Sequence, residues 1–259
     1  MNKNEVRMRE ELESLLKTNG GVSTKEATEL LRVSESTVRR LFDKMQADGE
    51  AVRVFGGVRY ANTATKYQYD VTLERQRKAK TQIGKLAASI ITDNDFVYID
   101  CGTTTIHLCE FIVERIHRGE LTGITVVTNS LAHLEILNKS CTTILTSGIY
   151  SADRKSFAGT LCESFLSQFH FSKAFLGADG FSLEDGFSTS EIEIAHLTGV
   201  AAALADSTYV LLDSTKLGRR SFVVYDKFES IRNMITDSAI DPDTVAALGE
   251  KNVRVFIAD

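Results

Sequence analysis

Asp95-Phe96-Val97-Tyr98-Ile99-Asp100-Cys101-Gly102-Thr103-Thr104-Thr105 decides how the larger part of this chain folds. Its first half is apolar and β-prone, its second half is a Gly-Thr turn, and Leu108, Phe111 and Ile112 continue at helical spacing. The pattern predicts a buried strand feeding straight into a helix. Such a turn aims several backbone N–H groups and hydroxyls at one spot. The positive end of the helix dipole points there too, which suits a phosphate or another small anion.

Working outward towards the C-terminus, the same device recurs. Ile124–Ser130 reads as a strand with a polar end, followed by a helix carrying Leu131, Leu134 and Leu137. Thr143–Gly148 and Ala174–Gly180 repeat it. A long helix from about Glu191 to Ala205 leads to a strand at Tyr209–Asp213, and shorter strands are expected at Phe222–Tyr225, Asn233–Thr236 and Val253–Ile257. Alternation of this kind implies an α/β fold with a mainly parallel, helix-flanked sheet. Ligands of open parallel sheets settle outside the carboxyl ends of the strands.

The candidate ligand-binding residues fall at those ends: Asp100, Gly102, Thr103, Thr104 and Thr105; Thr128, Asn129 and Ser130; Ser147 and Gly148; Asp179; and Lys216 after Asp213. Gly102 lets the backbone approach a phosphate closely, and the three threonines surround it with hydroxyls. Lys216 is a second point of positive charge. Asp100, Asn129 and Asp179 suit sugar hydroxyls, although each aspartate, and Asp213 with them, can equally be a cap or a turn residue. The expected ligand is a phosphorylated sugar.

Before this region lies a different pattern. Met8, Leu12, Leu15 and Leu16 form one helical stripe that stops at Asn19-Gly20-Gly21. Ser23-Thr24-Lys25-Glu26 has the form of a capping box and opens a short helix with Ala27, Leu30 and Leu31 inward. Ser34 caps a third helix with Val38, Phe42 and Met45 inward, ending at Asp48-Gly49. Residues 51–60 are two β-prone runs around Gly56-Gly57, a hairpin signal. Short helices, a tight turn, a longer helix and a hairpin make a winged helix-turn-helix, whose last helix enters the major groove of DNA. Ser36, Thr37 and Arg40 stand where base edges are met. Arg39 and Lys44, with Arg53 and Arg59 on the hairpin, suit phosphates. Three-helix units of this size also serve as protein-interaction modules, and exposed arginines are often only solvated.

Residues 1–60 hold 11 Lys/Arg against 10 Asp/Glu, and the remaining 199 residues hold 19 against 25. So small an asymmetry does not by itself mark a nucleic-acid binder. Residues 61–73 form the expected linker between a DNA-binding domain (1–60) and a ligand-binding domain (74–259). A basic amphipathic helix with Arg75, Arg77, Lys78, Lys80 and Lys85 opens the second domain; its positive face could neighbour the effector or the DNA, although a solvated face is the favoured reading for most of these residues. No apolar run reaches the roughly 20 residues of a membrane span. Met1–Glu13 is charged and unlike a signal peptide. Cys101, Cys109, Cys141 and Cys162 sit in apolar surroundings without metal-ligand spacing. They are expected to be reduced and buried in a cytoplasmic protein that needs no metal or cofactor.

Ser36-Thr37-Val38-Arg39-Arg40, then Gly49, Arg53 and Phe55-Gly56-Gly57-Val58, resemble the DNA-binding signature of the DeoR family of bacterial regulators. Leu41 and Phe55 depart from it, standing where the family has Asp and His. The segments DCGTTT, TNSLAHLEIL, SFAGTLCESFL, KAFLGADGF and LLDSTKLG follow one another as in DeoR-type effector domains, so the resemblance spans nearly the whole chain. Ser147-Gly148 replaces the paired glycines common after the third strand. The resemblance implies a ribose phosphate isomerase-like fold. It also implies a homo-oligomeric regulator, most often a repressor of carbohydrate use, whose grip on a double-stranded operator is modulated by a phosphorylated sugar. An isomerase with a DNA-binding appendage is the rival reading. Against it, the Lys-Gly-Gly-Gly run of such enzymes is absent where this chain has Gly186-Phe187-Ser188-Thr189-Ser190. A protein-interaction adaptor is the other rival.

Overall fold

Ser23 and Ser34 start the second and third helices by accepting backbone N–H groups that a first helical turn leaves unpaired. The computed structural model describes residues 3–19, 21–48, 51–54, 56–60 and 69–259, without the side chains of 3–6, 17–19, 52, 54, 59 and 60. The first unit runs α1 (Lys3–Asn19), β1 (Gly21–Ser23), α2 (Thr24–Leu31), α3 (Glu35–Ala47), β2 (Ala51–Val54) and β3 (Gly57–Tyr60). Ser23 Oγ accepts from Glu26 N at 3.1 Å, and the Glu26 carboxylate accepts from Ser23 N at 2.9 Å, which completes the expected capping box. Ser34 Oγ accepts from Thr37 N at 3.3 Å.

The hairpin gains a strand that the sequence pattern did not reveal. β1 pairs with β3, giving an antiparallel sheet in the order β1-β3-β2. That pairing demands Gly57, because a Cβ there would lie 2.2 Å from the Val22 carbonyl oxygen. Leu12, Leu16, Val22, Ala27, Leu31, Val38, Phe42, Met45 and Val58 form the core. Leu30 was expected among them, yet it is 47% exposed. Ala27 and Leu31, four residues apart, already fill the inward stripe of this eight-residue helix, and Leu30 lies round its side. Leu41 is buried instead, which accounts for an apolar residue at that position.

The second unit, Tyr69–Asp259, begins with α4 (Tyr69–Glu74). Residues 69–73 of the expected linker are therefore helical, while residues 61–68 lie outside the described residues. Next come α5 (Arg77–Ile90), β4 (Phe96–Ile99), α6 (Thr105–His117), β5 (Thr125–Thr128), α7 (Leu131–Leu137) and β6 (Thr142–Leu145). The hairpin β7 (Ile149–Ser151) and β8 (Ser156–Ala158) precedes α8 (Thr160–Leu166), β9 (Phe171–Gly177), β10 (Gly180–Ser182) and β11 (Gly186–Thr189). The chain finishes with α9 (Ile192–Ala203), β12 (Ala205–Leu211), a 3-10 turn at Ser214–Lys216, β13 (Val223–Asp226), β14 (Asn233–Asp237), α10 (Pro242–Glu250) and β15 (Arg254–Ala258).

Seven strands form a wholly parallel sheet in the order β15-β14-β12-β9-β4-β5-β6. Helices cover both faces, so the strands read as continuous apolar runs. Val97, Ile99, Val126, Phe175, Leu211 and Ile235 face α5, α6 and α7. Tyr98, Val127, Ala174, Leu176, Val210 and Met234 face α8, α9 and α10. From β4 the chain winds outward through β5 to β6, then returns to the far side of β4 as β9 and winds the other way. β4 and β9 thus flank a topological switch point, the place where open parallel sheets bind ligands at the strands' carboxyl ends.

The strand expected at Phe222–Tyr225 is not in this sheet. β13 pairs antiparallel with β11, which pairs with β10, in a separate three-stranded sheet. The partners are some 35 residues apart in sequence, as in Thr189 opposite Val223, so local periodicity carries no sign of the pairing. Tyr225 Oη donates to Gly177 O at 2.7 Å and ties this small sheet to the end of β9.

Candidate functional site

The turn after β4 is built from its own threonines. Thr105 Oγ1 donates to Asp100 O at 2.7 Å and to Gly102 O at 3.0 Å, fixing the corner between strand and helix. Thr103 is buried and Thr104 half-buried at the start of α6. His133, fully buried, backs the corner: Nε2 lies 3.3 Å from Gly102 O and Nδ1 lies 3.3 Å from Thr128 Oγ1. Burial lowers its pKa to about 4, so the ring is neutral at pH 7 and serves as a brace.

Asp100 lies at the switch point. Its Oδ2 accepts from Gly177 N and Thr198 Oγ1, each at 3.3 Å, whereas Oδ1 is buried with no hydrogen-bond partner among the described residues. Burial raises its pKa to about 6. Across the crevice, Asp179 Oδ2 accepts from Ser190 N at 2.9 Å, Ser190 Oγ at 2.8 Å and Thr189 Oγ1 at 3.0 Å. Burial opposes its charge, but the nearby Arg154 and Lys216 cations, with the Ser190 bonds, hold the carboxyl well below the usual carboxylate range. Lys216 follows β12 in the 3-10 turn that Asp213 caps through Thr215 N at 3.2 Å.

Two cations that were not among the expected site residues lie beside these groups: Lys80, from the helix whose positive face could neighbour the effector or the DNA, and Arg154. Lys80, on α5, is 2% exposed and donates to Thr103 Oγ1 at 2.9 Å. Its helix neighbours Lys78 and Lys85 are exposed, as expected for a solvated face, and Lys80 alone turns inward. Its position beside Ala79 and three residues before Ile83, on the apolar stripe rather than opposite it, was the available signal. Arg154, in the β7–β8 turn, is 3% exposed. Nε donates to Glu191 at 2.6 Å, and a terminal nitrogen donates to Ser190 Oγ at 2.7 Å and Asp179 Oδ2 at 3.1 Å. Asp153, Arg154 and Lys155 are the only charged residues between Lys139 and Glu163, a mark that sequence reasoning passed over.

The other expected residues divide. Asn129 is fully buried: Oδ1 accepts from Cys101 N at 2.9 Å and Nδ2 donates to Phe157 O at 3.0 Å. It joins the β4 and β5 ends to the β7–β8 hairpin, a brace where a contact to sugar hydroxyls was expected. Ser130 caps α7 by accepting from His133 N at 3.3 Å, and Thr128 Oγ1 accepts from Ser130 N at 3.1 Å. Ser147 is exposed beyond the edge strand β6, with Oγ 3.5 Å from Leu161 O. Two strand spacings of about 4.8 Å separate β6 from β4, so Ser147 and Gly148 stand apart from the crevice centre. Gly148 packs on the hairpin, where a Cβ would lie 2.7 Å from Ala158 O.

The recognition helix α3 presents a contrasting surface. Ser36 and Thr37 hydroxyls lie 2.9 Å from Ser34 Oγ, clustered at the N-cap. Arg39 is exposed and paired with Glu35 at 2.6 Å. Arg40 and Lys44 are exposed. Arg53, expected on the wing as a backbone contact, folds back towards α3. Its guanidinium carbon is 5.6 Å from the Phe42 ring centre and its Nε 3.5 Å from Asp43. The Arg59 side chain and Phe55 lie outside the described residues; the Arg59 backbone pairs with Gly21 and Val52 on β3. No described helix is long and apolar enough to cross a membrane. Cys101, Cys109 and Cys162 are buried free thiols, and Cys141 is partly buried.

The model of the DeoR C terminal sensor domain matches residues 75–238, and that of the DeoR-like helix-turn-helix domain matches residues 9–64. The chain is 26% identical over 254 residues to the HTH-type transcriptional regulator IolR of Bacillus subtilis, covering 96% of this chain and 98% of that protein. It is 30% identical over 237 residues to the lactose phosphotransferase system repressor of Staphylococcus epidermidis, covering 88% and 90%. Among solved structures, a D-ribose-5-phosphate isomerase in complex with phospho-erythronic acid aligns over 54% of each chain at 19% identity, with a TM-score of 0.42.

Proposed function

This chain belongs to the DeoR family of DNA-binding transcriptional regulators, and from that premise we propose that it represses a carbohydrate-utilisation operon under the control of a phosphorylated sugar. The effector binds at the carboxyl ends of β4, β9 and β12. One observation carries this reading: the Gly102–Thr105 turn, Lys80 and Lys216 converge at a switch point that also holds Asp100 and Asp179. A phosphate fits the first turn of α6, where helix dipole, hydroxyls and two lysines all favour negative charge. Asp179 and Asp100 stand ready for sugar hydroxyls.

At the other end, α3 enters the major groove. Arg40, with Ser36 and Thr37, reads base edges, and Arg39, Lys44 and Arg59 contact phosphates. Arg53 supports the wing from behind. Control works by linkage: the sugar phosphate favours an arrangement of a homo-oligomer in which paired recognition helices no longer match two half-sites. The protein acts in the cytoplasm, and its site binds without turnover. Glu193, the carboxylate nearest in sequence to an isomerase base, is exposed on α9.

Selection of duplexes from a random pool, followed by anisotropy titration, tests this. A palindromic site should be enriched, and members of a sugar phosphate panel should shift its affinity while the parent sugars do not. No enrichment above shuffled DNA, or turnover of pentose or hexose phosphates that is lost in Glu193→Gln, would overturn the proposal.

A further inference from the structure

Asp100, Asp179 and Glu191 put carboxyl groups at the sugar end of the site, and the cation bonded to two of them is already committed. Arg154, 3% exposed, donates from Nε to Glu191 Oε1 at 2.6 Å and from a terminal nitrogen to Asp179 Oδ2 at 3.1 Å. Two carboxylates on one guanidinium leave an excess of negative charge. Asp100 adds to it from the end of β4. It is 2% exposed, Oδ2 accepts from Gly177 N at 3.3 Å, and Oδ1 has no hydrogen-bond partner among the described residues. Gly177 ends β9 two residues before Asp179, so the neighbouring strand ends bring these carboxyls near one another. The charge of Arg154 acts on both.

The phosphate end is the opposite. Lys216 is close enough to Lys80 to oppose its charge, and neither forms an ion pair with a described carboxylate. A single phosphate group, with a charge of about −1.5 to −2 at pH 7, balances two ammonium groups. A second acidic group on the same ligand would lie beside Asp100, Asp179 and Glu191. Arg154 could answer it only by leaving one of its own carboxylates unpaired, and like charges repel more strongly in a desolvated site than in water. A hydroxyl meets no such penalty. Asp179 is held well below the usual carboxylate range and burial raises Asp100 only to about 6. Both are therefore acceptors at pH 7, and a hydroxyl donates to them without adding charge.

Resting on the sugar phosphate reading of the site, we propose that Asp100, Asp179 and the Arg154–Glu191 pair select an effector with one phosphate and an otherwise uncharged sugar. Phosphorylated sugar acids and bisphosphates are turned away. The selection lies in the charge balance of the sugar end. Ser190 holds that balance in place, since its N and Oγ donate to Asp179 Oδ2 at 2.9 and 2.8 Å and its Oγ accepts from Arg154 at 2.7 Å.

The test titrates the full chain at pH 7 with matched pairs of ligands: ribose 5-phosphate against 5-phosphoribonate, glucose 6-phosphate against 6-phosphogluconate, and fructose 1-phosphate against fructose 1,6-bisphosphate. A raised melting temperature and calorimetric titration report binding. In any pair that binds, the member with the second acidic group should bind about tenfold or more weakly. Asp179→Asn should narrow that ratio towards equality, because it frees Arg154 for the added acid, and Glu191→Gln should do the same to a smaller extent. A merely structural role for either carboxylate would weaken both members alike and leave the ratio unchanged.

Equal or tighter binding of the acidic members overturns the selection and leaves the sugar phosphate reading intact. A ratio unchanged in both variants overturns these carboxylates as its cause. Indifference of the wild type to every phosphorylated probe, neutral or acidic, overturns the sugar phosphate reading itself. Should Asp179→Asn fail to fold, the wild-type ratios and Glu191→Gln decide.

Discussion

The two units of this molecule treat positive charge in opposite ways. The recognition helix leaves Arg39, Arg40 and Lys44 in solvent, whereas the sensor unit buries Lys80 to 2% and Arg154 to 3% exposure. The difference follows from the anion each would meet. A duplex is a long polyanion, and solvated cations exchange condensed counterions for phosphates at little desolvation cost. A small metabolite offers one or two charges, so the protein must hold desolvated cations ready before the ligand arrives. Exposed arginines can be lost with little effect on folding. Buried ones cannot.

The widest gap is expected at Arg154. Arg154→Ala should cost about 3 kcal/mol of stability, because removing one partner of a buried ion cluster leaves the other unpaired. Urea denaturation measures it, and a loss below about 1 kcal/mol would show that this cation is no more structural than a surface one. Arg40→Ala should be the mirror case. It should weaken operator binding by about 2 kcal/mol and leave both the melting temperature and its response to sugar phosphates as in the wild type. A variant that fails both assays would mean that the two units do not divide the work.

Asp100 sharpens the comparison through pH. Its pKa in the folded state is raised by burial from 3.8 to about 6, so the folded chain holds a proton that the unfolded chain has released. Stability from this group is present below 3.8 and is lost as pH rises to about 6. Asp100→Asn should therefore gain on the order of 1–2 kcal/mol at pH 7 and almost nothing at pH 4. Equal effects at both pH values would remove burial as the cause. A gain accompanied by lost effector response would mark Asp100 as a residue kept for binding at the expense of stability. The smallest effect belongs to the first unit. Ser23→Ala should lower its stability by about 1 kcal/mol through loss of the capping box, seen as a shifted denaturation midpoint.

Much of the fold was legible because its signals are local. The capping box at Ser23, the cap at Ser34, the Gly56-Gly57 hairpin and the alternation of apolar strands with helices each depend on residues a few positions apart. The Gly102–Thr105 turn is legible for the same reason, since it hydrogen-bonds to its own backbone. β1, at three residues, is too short to show a period, and its partner β3 is more than thirty residues away. The cradle was read one strand end at a time. That procedure picks out Asp100 and Asp179, both near the Arg154 cation. It also gathers Asn129, which the fold spends as a brace, and Ser147, which lies beyond the edge strand, because sequence does not say which ends are neighbours.

By itself, the sequence determined the family, the two-part organisation and the parallel strand–helix alternation, because propensity, capping and apolar period act over short distances along the chain. Only the tertiary structure decided which cations reach the crevice. Lys80 and Arg154 come from a helix before the first sheet strand and a turn after the third. Their burial beside Thr103 and Asp179 depends on strand order, and strand order is set by the packing of the whole sheet and its helices.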